Sequence, residues 1–221
     1  MIVYPSDAEA CSNIIAIGQR MYQLGMVAAN DGNISCRVAP QIIWATPTGV
    51  SKGFMTADML IKLDLQGNII KGSYKPSSEL KMHLKIYEQS ADIGAVTHAH
   101  PACATAFAVA QIPFEQPVMP EAVVNLGTVP VAPYATPGSI ELAEGAAAYA
   151  KDHRAVLLAN HGALSWGKDL NQAFFRLETL EHYAKILLYS RYTIGKAQLL
   201  PDDEIKVLEE IRCCLEAKKD Y

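Results

Sequence analysis

Three histidines at the ends of two short apolar segments constrain the fold of this chain most tightly. His98 and His100 follow the apolar run 93–96, and Pro101 stops the extended segment there. Residues two apart on a strand point to the same face, so both imidazoles can bind one ion. An isolated pair of this kind is more often an ordinary pair of polar histidines. The second segment, however, ends in His161, and three imidazoles with a carboxylate match the ligand set of zinc and its neighbours.

Composition favours one folded domain over residues 1–221. The chain is 50% apolar and 19% charged, which is sufficient for one sizeable hydrophobic core. The formal net charge of −4 gives no broad basic field, so we expect neither a nucleic-acid partner nor binding to an anionic membrane. An anionic small molecule remains compatible, because backbone amides and a metal supply positive potential locally.

The cysteines and the N-terminal residues indicate the compartment. Five cysteines form no C-x-x-C motif and leave one unpaired in any full pairing scheme, which favours reduced thiols. The first residues lack the basic region of a secretory signal, and no apolar run approaches the roughly 18 residues of a membrane span. We therefore expect a cytoplasmic protein.

Local patterns predict alternating helices and strand hairpins. Ser6 and Glu9 form a capping box at the start of a helix that ends at Gly25. Because several strands are joined as hairpins while helices intervene, the predicted fold class is α/β with a mixed or antiparallel central sheet between helical layers. The other predicted helices begin at 76, 102, 139, 169 and 202, the strands lie at 33–38, 42–45, 60–65, 69–70, 93–100 and 155–159, and the segment 112–137 is predicted to be loop with a short strand near 129–131.

The boundaries of the later helices follow from the same patterns. The helix that begins at 139 is predicted to run to about Lys151, and the long helix that begins at Asp169 to about Tyr192. The last helix is predicted to turn four apolar residues inward: Ile205, Leu208, Ile211 and Leu215.

Two segments carry candidate anion-binding groups. The segment 76–79, with sequence PSSE, opens a helix, where hydroxyls and free backbone amides can bind a phosphate or a carboxylate. A simple helix cap is the alternative for Glu79, since a carboxylate in the first turn suits the helix dipole. The loop with Thr48 and Gly49 has, by itself, the composition of an ordinary surface turn. His83, one turn after Glu79, is predicted to be a core histidine, or one that supports the ligands from behind, rather than a ligand itself.

Three motifs follow one another in a specific order along the chain. They are Gly32-Asn33-Ile34-Ser35, then Pro76-Ser77-Ser78-Glu79, then His98-Ala99-His100 with a distant Asn160-His161-Gly162. Together they resemble the family of class II aldolases and adducin head domains, over about Ala8 to Tyr192. The resemblance implies a three-layer α/β/α fold with a mainly antiparallel sheet, assembled as a homotetramer with active sites between neighbouring subunits.

The resemblance also implies roles for individual residues. The family's zinc ligands correspond to His98, His100 and His161, and Mn²⁺, Co²⁺ or Fe²⁺ would also fit such a set. Glu79 corresponds to the acidic residue that ligates the metal at rest and acts as general acid and base once substrate displaces it. The phosphate of a small sugar substrate would contact five positions, with Ser35 nearby: Asn33, Thr48, Gly49, Ser77 and Ser78.

The implied activity is reversible cleavage of a ketose 1-phosphate to dihydroxyacetone phosphate and an aldehyde. This cleavage needs a Lewis acid on the C2 carbonyl and a base for the C4 hydroxyl, which the metal and Glu79 would supply. The family's epimerases carry aspartate where this chain has Glu79, so the glutamate favours an aldolase.

Two differences from the fuculose-type aldolases of the family concern the aldehyde half of the substrate. The middle residue of the H-x-H motif is Ala99 instead of asparagine, and the region 116–121 contains no tyrosine to serve as a proton donor. Glu121 is the acid in that region and could act from the adjacent subunit, and Tyr221 is a candidate match to a terminal aromatic of the aldolases. Apolar residues in the same region favour a less polar aldehyde, as in a 5-deoxy- or methylthio-substituted ribulose 1-phosphate.

Three alternatives remain open at this level. A 4-epimerase, a dehydratase or a decarboxylase of the same family would use the same metal and a different reaction. An adducin-like interaction module would be non-catalytic, but such members lack the ligand set that this chain retains. A purely structural zinc would have a closed coordination shell with no exchangeable position.

Overall fold

The computed structural model of the chain describes residues 2–217, and in this range one eight-stranded sheet forms the centre of the fold. Its strands are β1 (Asn33–Ala39), β2 (Ile42–Ala45), β3 (Ile61–Asp64), β4 (Ile69–Lys71), β5 (Ala95–Ala99), β6 (Val131–Ala132), β7 (Ala155–Leu158) and β8 (Gly162–Gly167). Their order across the sheet is β4-β3-β2-β1-β5-β8-β7-β6. β6 and β7 are parallel, and every other neighbouring pair is antiparallel. The mixed, mainly antiparallel sheet predicted from the sequence is confirmed.

Helices cover both faces of this sheet. They are α1 (Asp7–Gln23), α2 (Leu80–Gln89), α3 (Ala102–Ala110), α4 (Pro120–Asn125), α5 (Ile140–Ala147), α6 (Leu170–Leu187) and α7 (Asp202–Ala217). One hydrophobic core lies between the sheet and α1, α3 and α6, and a second lies between the sheet and α2 and α5. The predicted three-layer α/β/α arrangement is therefore confirmed. Within residues 2–217, none of the helices combines the length and the apolar composition that a membrane crossing needs.

The N-terminal helix has the predicted cap. The Ser6 hydroxyl accepts a hydrogen bond from the Glu9 backbone N–H at 3.3 Å, and the Glu9 carboxylate accepts one from the Ser6 N–H at 2.8 Å. This reciprocal pairing satisfies two donors that the first helical turn leaves without partners. The hairpins predicted for β1 with β2 and for β3 with β4 are also present.

Two elements of the structure differ from the sequence-based expectation. The segment predicted to be loop contains the short helix α4, which begins at Pro120 and packs against α6 and α7. A helix of six residues has no periodicity of its own, and tertiary packing stabilises it. The strand β8 is the second difference: all six of its residues are buried, so the sequence lacks the alternation that marks a half-exposed strand.

Helix ends were predicted less well than helix positions. α5 ends at Ala147 instead of near Lys151, and α6 ends at Leu187, where a π-helical segment continues to Thr193. The prediction that Leu215 faces inward is wrong, since its side chain is 58% exposed. α7 has no fully buried residue, because it lies against α4 and not against the sheet.

The topology explains why distant histidines meet. β5 and β7 are each antiparallel to β8, which lies between them, so they run in the same direction. Their C-terminal ends therefore lie at the same edge of the sheet. Asn160, with a φ of 55°, supports the tight turn from β7 into β8 that carries His161, and asparagine tolerates this left-handed conformation better than most residues.

Two glycines provide a matched test of this packing. A Cβ at Gly94, which immediately precedes β5, would lie 2.1 Å from the Lys168 carbonyl oxygen, whereas a Cβ at Gly145 in α5 would meet no atom within 4 Å. Gly145→Ala should raise the free energy of unfolding by up to about 1 kcal/mol and the Tm by about 2–4 °C. Gly94→Ala should lower both, because backbone atoms must move. Thermal unfolding of the two variants checks this, and equal Tm values would contradict the packing described for Gly94.

Candidate active site

The three histidines predicted as ligands converge at one edge of the sheet. His98 lies on β5, His100 follows β5 directly, and His161 lies in the turn between β7 and β8. The ring centroids are 4.8 to 5.0 Å apart, and one nitrogen of each ring lies within 4.8 Å of the others. His98 is fully buried, while the other two rings are partly accessible. The site therefore has an inner wall and an open side.

Hydrogen bonds on the outer side of two rings orient the cluster. His98 Nδ1 lies 2.9 Å from the Ala163 carbonyl oxygen, and His100 Nδ1 lies 3.2 Å from Asp31 Oδ2. Because both partners are acceptors, each Nδ1 carries the proton and each Nε2 presents a lone pair to the centre of the cluster. This is the arrangement by which proteins orient metal-binding histidines.

The Nε2 atoms of His98 and His100 are so close that their lone pairs would repel each other unless a cation lies between them. His98 Nε2 and His100 Nε2 are 3.2 Å apart. A tetrahedral ion with bonds of about 2.1 Å separates its ligand atoms by about 3.4 Å, close to that spacing. The donor set therefore fits a divalent metal ion such as zinc.

Glu79 completes the cluster from the other side. It immediately precedes α2, its Oε1 lies 2.9 Å from His161 Nε2, and its Oε2 lies 3.5 Å from His98 Nε2. Either a proton on His161 or a cation satisfies the shorter contact. Asn33 donates a hydrogen bond from Nδ2 to Glu79 Oε2 at 3.0 Å and so holds the carboxylate in place. The structure thus brings together the four residues predicted to form the metal site.

Burial favours the neutral form of His98 and of His100, while Glu79 favours its charged form. Burial lowers the pKa of His98 and of His100, so both rings retain free lone pairs near neutral pH. Burial alone would raise the pKa of Glu79, but the hydrogen bond from His161 and the charges of the surrounding histidines lower it to about 2. Neutral imidazoles and an ionised carboxylate are the forms that bind a metal.

A ladder of polar contacts between β1 and α2 positions Glu79. Asn33 contacts Glu79, and the next residue on the same face of β1, Ser35, lies 2.7 Å from His83 Nδ1 and 2.9 Å from the Tyr87 hydroxyl. From Asn33 to Ser35 the strand advances about 6.7 Å, and from Glu79 to His83 the helix advances about 6 Å. Because these two distances are similar, successive residues of β1 can contact successive turns of α2. His83 is buried inside this ladder, which confirms that it is a core histidine. Sequence analysis missed the ladder, although its four-residue and two-residue spacings are visible in the chain.

The two candidate phosphate-binding segments lie side by side. Pro47 and Pro76 pair in an isolated antiparallel bridge, and the Thr48 N–H donates to the Lys75 carbonyl at 3.0 Å. This pairing places the loop that carries Thr48 against the segment 77–78.

The same segments adjoin the carboxylate. The Glu79 N–H donates a hydrogen bond to the Ser77 hydroxyl at 3.3 Å. Asn33 Nδ2 lies 3.5 Å from the same hydroxyl oxygen. Ser78 and Gly49 are exposed, and Gly49, with a φ of 73°, is in a conformation that favours glycine. Asn33 and Ser77 thus lie beside Glu79, and the pairing of Pro47 with Pro76 places the segment with Thr48 and Gly49 next to them.

Two other predicted residues do not join the cluster. Glu121 is exposed in the first turn of α4, and within residues 2–217 no hydrogen bond or ion pair connects it to the histidines or to Glu79. Tyr221 lies outside the described residues. Val118 and Met119, the apolar residues of the same region, are partly buried and pack against the core of this chain.

Sequence analysis also missed Asp31, the acceptor for His100. It occupies the Asp-Gly pair just before β1, and turn residues of this type give no specific signal of a functional carboxylate. Asp31 is 69 residues away from His100 in the sequence, so no local pattern predicts their contact. The order of the motifs predicts that Asn33 lies in the site. Asp31 lies two residues before Asn33 and therefore comes close to the site as well.

Comparisons with known proteins agree with this geometry. The sequence profile described as Class II Aldolase and Adducin N-terminal domain matches residues 12–188. An L-fuculose phosphate aldolase of Methanococcus maripaludis is 39% identical over 175 residues, which cover 79% of this chain and 94% of that protein. A 3-oxo-tetronate 4-phosphate decarboxylase of Pectobacterium atrosepticum is 36% identical over 209 residues, covering 92% and 94%. A 5-deoxy-D-ribulose 1-phosphate aldolase of Bacillus thuringiensis is 36% identical over 197 residues, covering 88% and 91%.

The fold is shared with proteins of known structure. The structure of an L-fuculose 1-phosphate aldolase matches with a TM-score of 0.85 and 32% sequence identity, and the match covers 93% of this chain and 98% of that chain. The residues that the family profile matches, 12–188, contain all eight strands of the sheet together with His98, His100, His161 and Glu79.

Asp31 provides a test of the metal site. Removing its carboxylate should lower the affinity for a divalent metal about 10- to 100-fold, because His100 loses the acceptor that orients its ring. Asp31→Ala should show the full loss and Asp31→Asn a smaller one, since asparagine keeps an acceptor. Competition with a fluorescent zinc chelator measures the affinities, and Asp92→Ala, at an exposed position, is the control. Wild-type affinity in Asp31→Ala would refute the orienting role.

Proposed function

The chain belongs to the class II aldolase and adducin family, and from that premise we propose that it is a metal-dependent aldolase acting on a ketose 1-phosphate. Its products would be dihydroxyacetone phosphate and an aldehyde. The observation that carries the proposal is the position of the Glu79 carboxylate, which faces the three imidazoles and adjoins the hydroxyl-rich segment 77–78. A group that could transfer a proton, the proposed metal site and the proposed phosphate site would thus lie within reach of one small substrate.

His98, His100 and His161 would hold the metal, with Glu79 as a fourth donor. When bound, the ion would polarise the oxygens of the substrate as a Lewis acid. Three imidazoles favour zinc, and Mn²⁺, Co²⁺ or Fe²⁺ remain compatible with the same ligands. Because the imidazoles are neutral, they would leave the positive charge of the ion available to the substrate.

Glu79 would move the protons of the reaction. Its carboxylate would accept the proton of the C4 hydroxyl as the C3–C4 bond breaks, so that C4 leaves as an aldehyde. The same group can return a proton to C3 of the dihydroxyacetone phosphate half, which balances the cleavage. The hydrogen bond from Asn33 would hold the carboxylate in a reactive orientation throughout.

The substrate phosphate would lie at the opening beside α2. Hydroxyls and amides from five residues would bind it, and the N-terminus of α2 would add favourable potential. These residues are Asn33, Thr48, Gly49, Ser77 and Ser78.

The proposal also covers the identity of the aldehyde product, the oligomeric state and the location of the protein. Homologues named for fuculose phosphate and for 5-deoxyribulose 1-phosphate support a short deoxy aldehyde as the second product. A homotetramer would bring Glu121 of a neighbouring subunit to the site as a second proton donor. We propose a cytoplasmic location for this enzyme, in keeping with a phosphorylated metabolite as substrate.

Decarboxylation is the second candidate, because a 3-oxo-tetronate 4-phosphate decarboxylase is about as similar in sequence as the aldolases. That reaction would use the same metal and phosphate sites but would break a bond to a carboxylate and release carbon dioxide. Loss of carbon dioxide from 3-oxo-tetronate 4-phosphate would also leave dihydroxyacetone phosphate. The two activities therefore differ in the substrate and in the second product, an aldehyde or carbon dioxide, and not in the predicted ligand set.

A product assay distinguishes the two candidates. The zinc-loaded protein and a chelated control are each given fuculose 1-phosphate, ribulose 1-phosphate, 5-deoxyribulose 1-phosphate and 3-oxo-tetronate 4-phosphate. We expect metal-dependent release of dihydroxyacetone phosphate from at least one ketose, measured with a coupled dehydrogenase. Carbon dioxide from the oxo acid, with no dihydroxyacetone phosphate from any ketose, would replace the aldolase proposal by the decarboxylase.

Removal of the Glu79 charge tests its role. Glu79→Gln should preserve the fold and most of the bound metal, while kcat falls about 10²- to 10⁴-fold, the usual contribution of a general acid or base. Glu88→Gln, at the exposed end of α2, is the matched control and should leave kcat unchanged. Turnover of Glu79→Gln close to that of the wild type would refute the assignment.

A further inference from the structure

Lys52 is a buried cation that the proposed reaction does not use. It begins a short 3₁₀ segment, Lys52–Phe54, and its side chain is only 1% exposed. Lysine is almost never fully buried without a charged partner, because removal of an ammonium from water is costly. Its position therefore calls for a compensating interaction.

In the described part of the fold, Lys52 has two hydrogen-bond acceptors but no direct ion pair. Lys52 Nζ donates to the Val50 carbonyl oxygen at 2.7 Å and to the Asn30 carbonyl oxygen at 2.8 Å. Across residues 2–217, no carboxylate forms an ion pair with it. Two carbonyls occupy two of the three N–H donors of an ammonium, and they leave a net positive charge.

Both carbonyl partners are chain neighbours of residues assigned to the candidate active site. Val50 follows Gly49 in the loop proposed to bind phosphate, and Asn30 precedes Asp31, which orients His100. Burial lowers the pKa of Lys52 to about 8, while Asp31 and Glu79 act in the opposite direction. The side chain is thus mainly protonated at neutral pH, and the electric fields of two carboxylates of the site reach it.

The five residues proposed to bind the phosphate carry no positive charge of their own. They contribute neutral hydroxyl, amide or backbone groups, and a sugar phosphate carries close to two negative charges near pH 7. A dianion and a buried ammonium each reduce the cost of keeping the other out of water.

We propose that Lys52 is a specificity-determining and positioning residue for the phosphoryl group of the substrate. This inference rests on the proposed function. Through the Val50 carbonyl, Lys52 holds the Thr48–Gly49 loop against the Asn30–Asp31 turn, and its charge favours a phosphorylated ligand over an uncharged one. A nucleophilic role is disfavoured, because the ammonium is buried and its protons are bound to two carbonyls.

The test separates the charge of Lys52 from its hydrogen bonds. Lys52→Met removes both, and Lys52→Gln removes the charge but keeps an N–H donor. Lys85→Met removes an exposed lysine that pairs with Glu88, and it is the control for a change in net charge. For each metal-loaded protein we would measure Tm, kcat and KM for the ketose 1-phosphate, and Ki for inorganic phosphate as a competitive inhibitor.

We expect KM and Ki to rise together by about tenfold in both Lys52 variants, with kcat within about threefold of the wild type. The Tm should not fall much, since replacement of an uncompensated buried charge by an apolar group is often tolerated. Lys85→Met should keep the wild-type values. Unchanged KM and Ki in a folded Lys52 variant would overturn the inference, and so would a fall in kcat alone.

A measurement on the native protein covers the case in which the variants do not fold. The ¹⁵N resonance of the Lys52 ammonium should shift as inorganic phosphate saturates the site, and no shift at saturation would overturn the inference. Failure of the proposed function has a different signature. In that case the wild-type protein would release no dihydroxyacetone phosphate from any ketose 1-phosphate, whereas failure of the Lys52 inference leaves that activity of the wild-type protein intact.

Discussion

The close approach of imidazole nitrogens at one edge of the sheet is the interaction on which the rest of the site depends. His98 and His100 each use the outer nitrogen for a hydrogen bond, so their inner nitrogens, 3.2 Å apart, present lone pairs to each other. This arrangement is unfavourable unless a cation lies between them. The sheet enforces it by running β5 and β7 in the same direction on either side of β8. A metal would therefore stabilise the fold and the site at once.

The Glu79 carboxylate, which faces this cluster, is held by contacts between strand β1 and helix α2. Polar residues alternate along β1, and their partners recur every fourth residue at the start of α2 and along it. Asn33 contacts Glu79, and Ser35 contacts His83 in the next step of the ladder. Buried polar groups of this kind are costly without partners and specific with them. The ladder fixes the orientation of α2, and hence of Glu79, relative to the metal cluster.

Charge is distributed over the site in a consistent way. Neutral imidazoles and an ionised Glu79 suit a divalent cation, and neutral donors at the opening suit a phosphate. The buried ammonium of Lys52 joins the two regions through the carbonyls of Val50 and Asn30. With a divalent metal and a phosphorylated sugar bound as proposed, the positive and negative charges of the site would nearly cancel, and buried charges are tolerated when they are paired.

The sequence by itself determined the fold class, the hairpins, the capped first helix and the cluster of His98, His100, His161 and Glu79. These features leave local signals, because strand alternation, caps and short motifs act over a few residues. The tertiary structure decided the rest: α4 and β8 form through packing, and α7 rests on a neighbouring helix instead of the sheet. It also decided the contacts of Asp31 and Lys52, since a turn carboxylate and a lone lysine acquire a role only when distant segments approach. Partners far apart in the chain leave no periodic pattern, and burial of a charge is a property of the assembled fold.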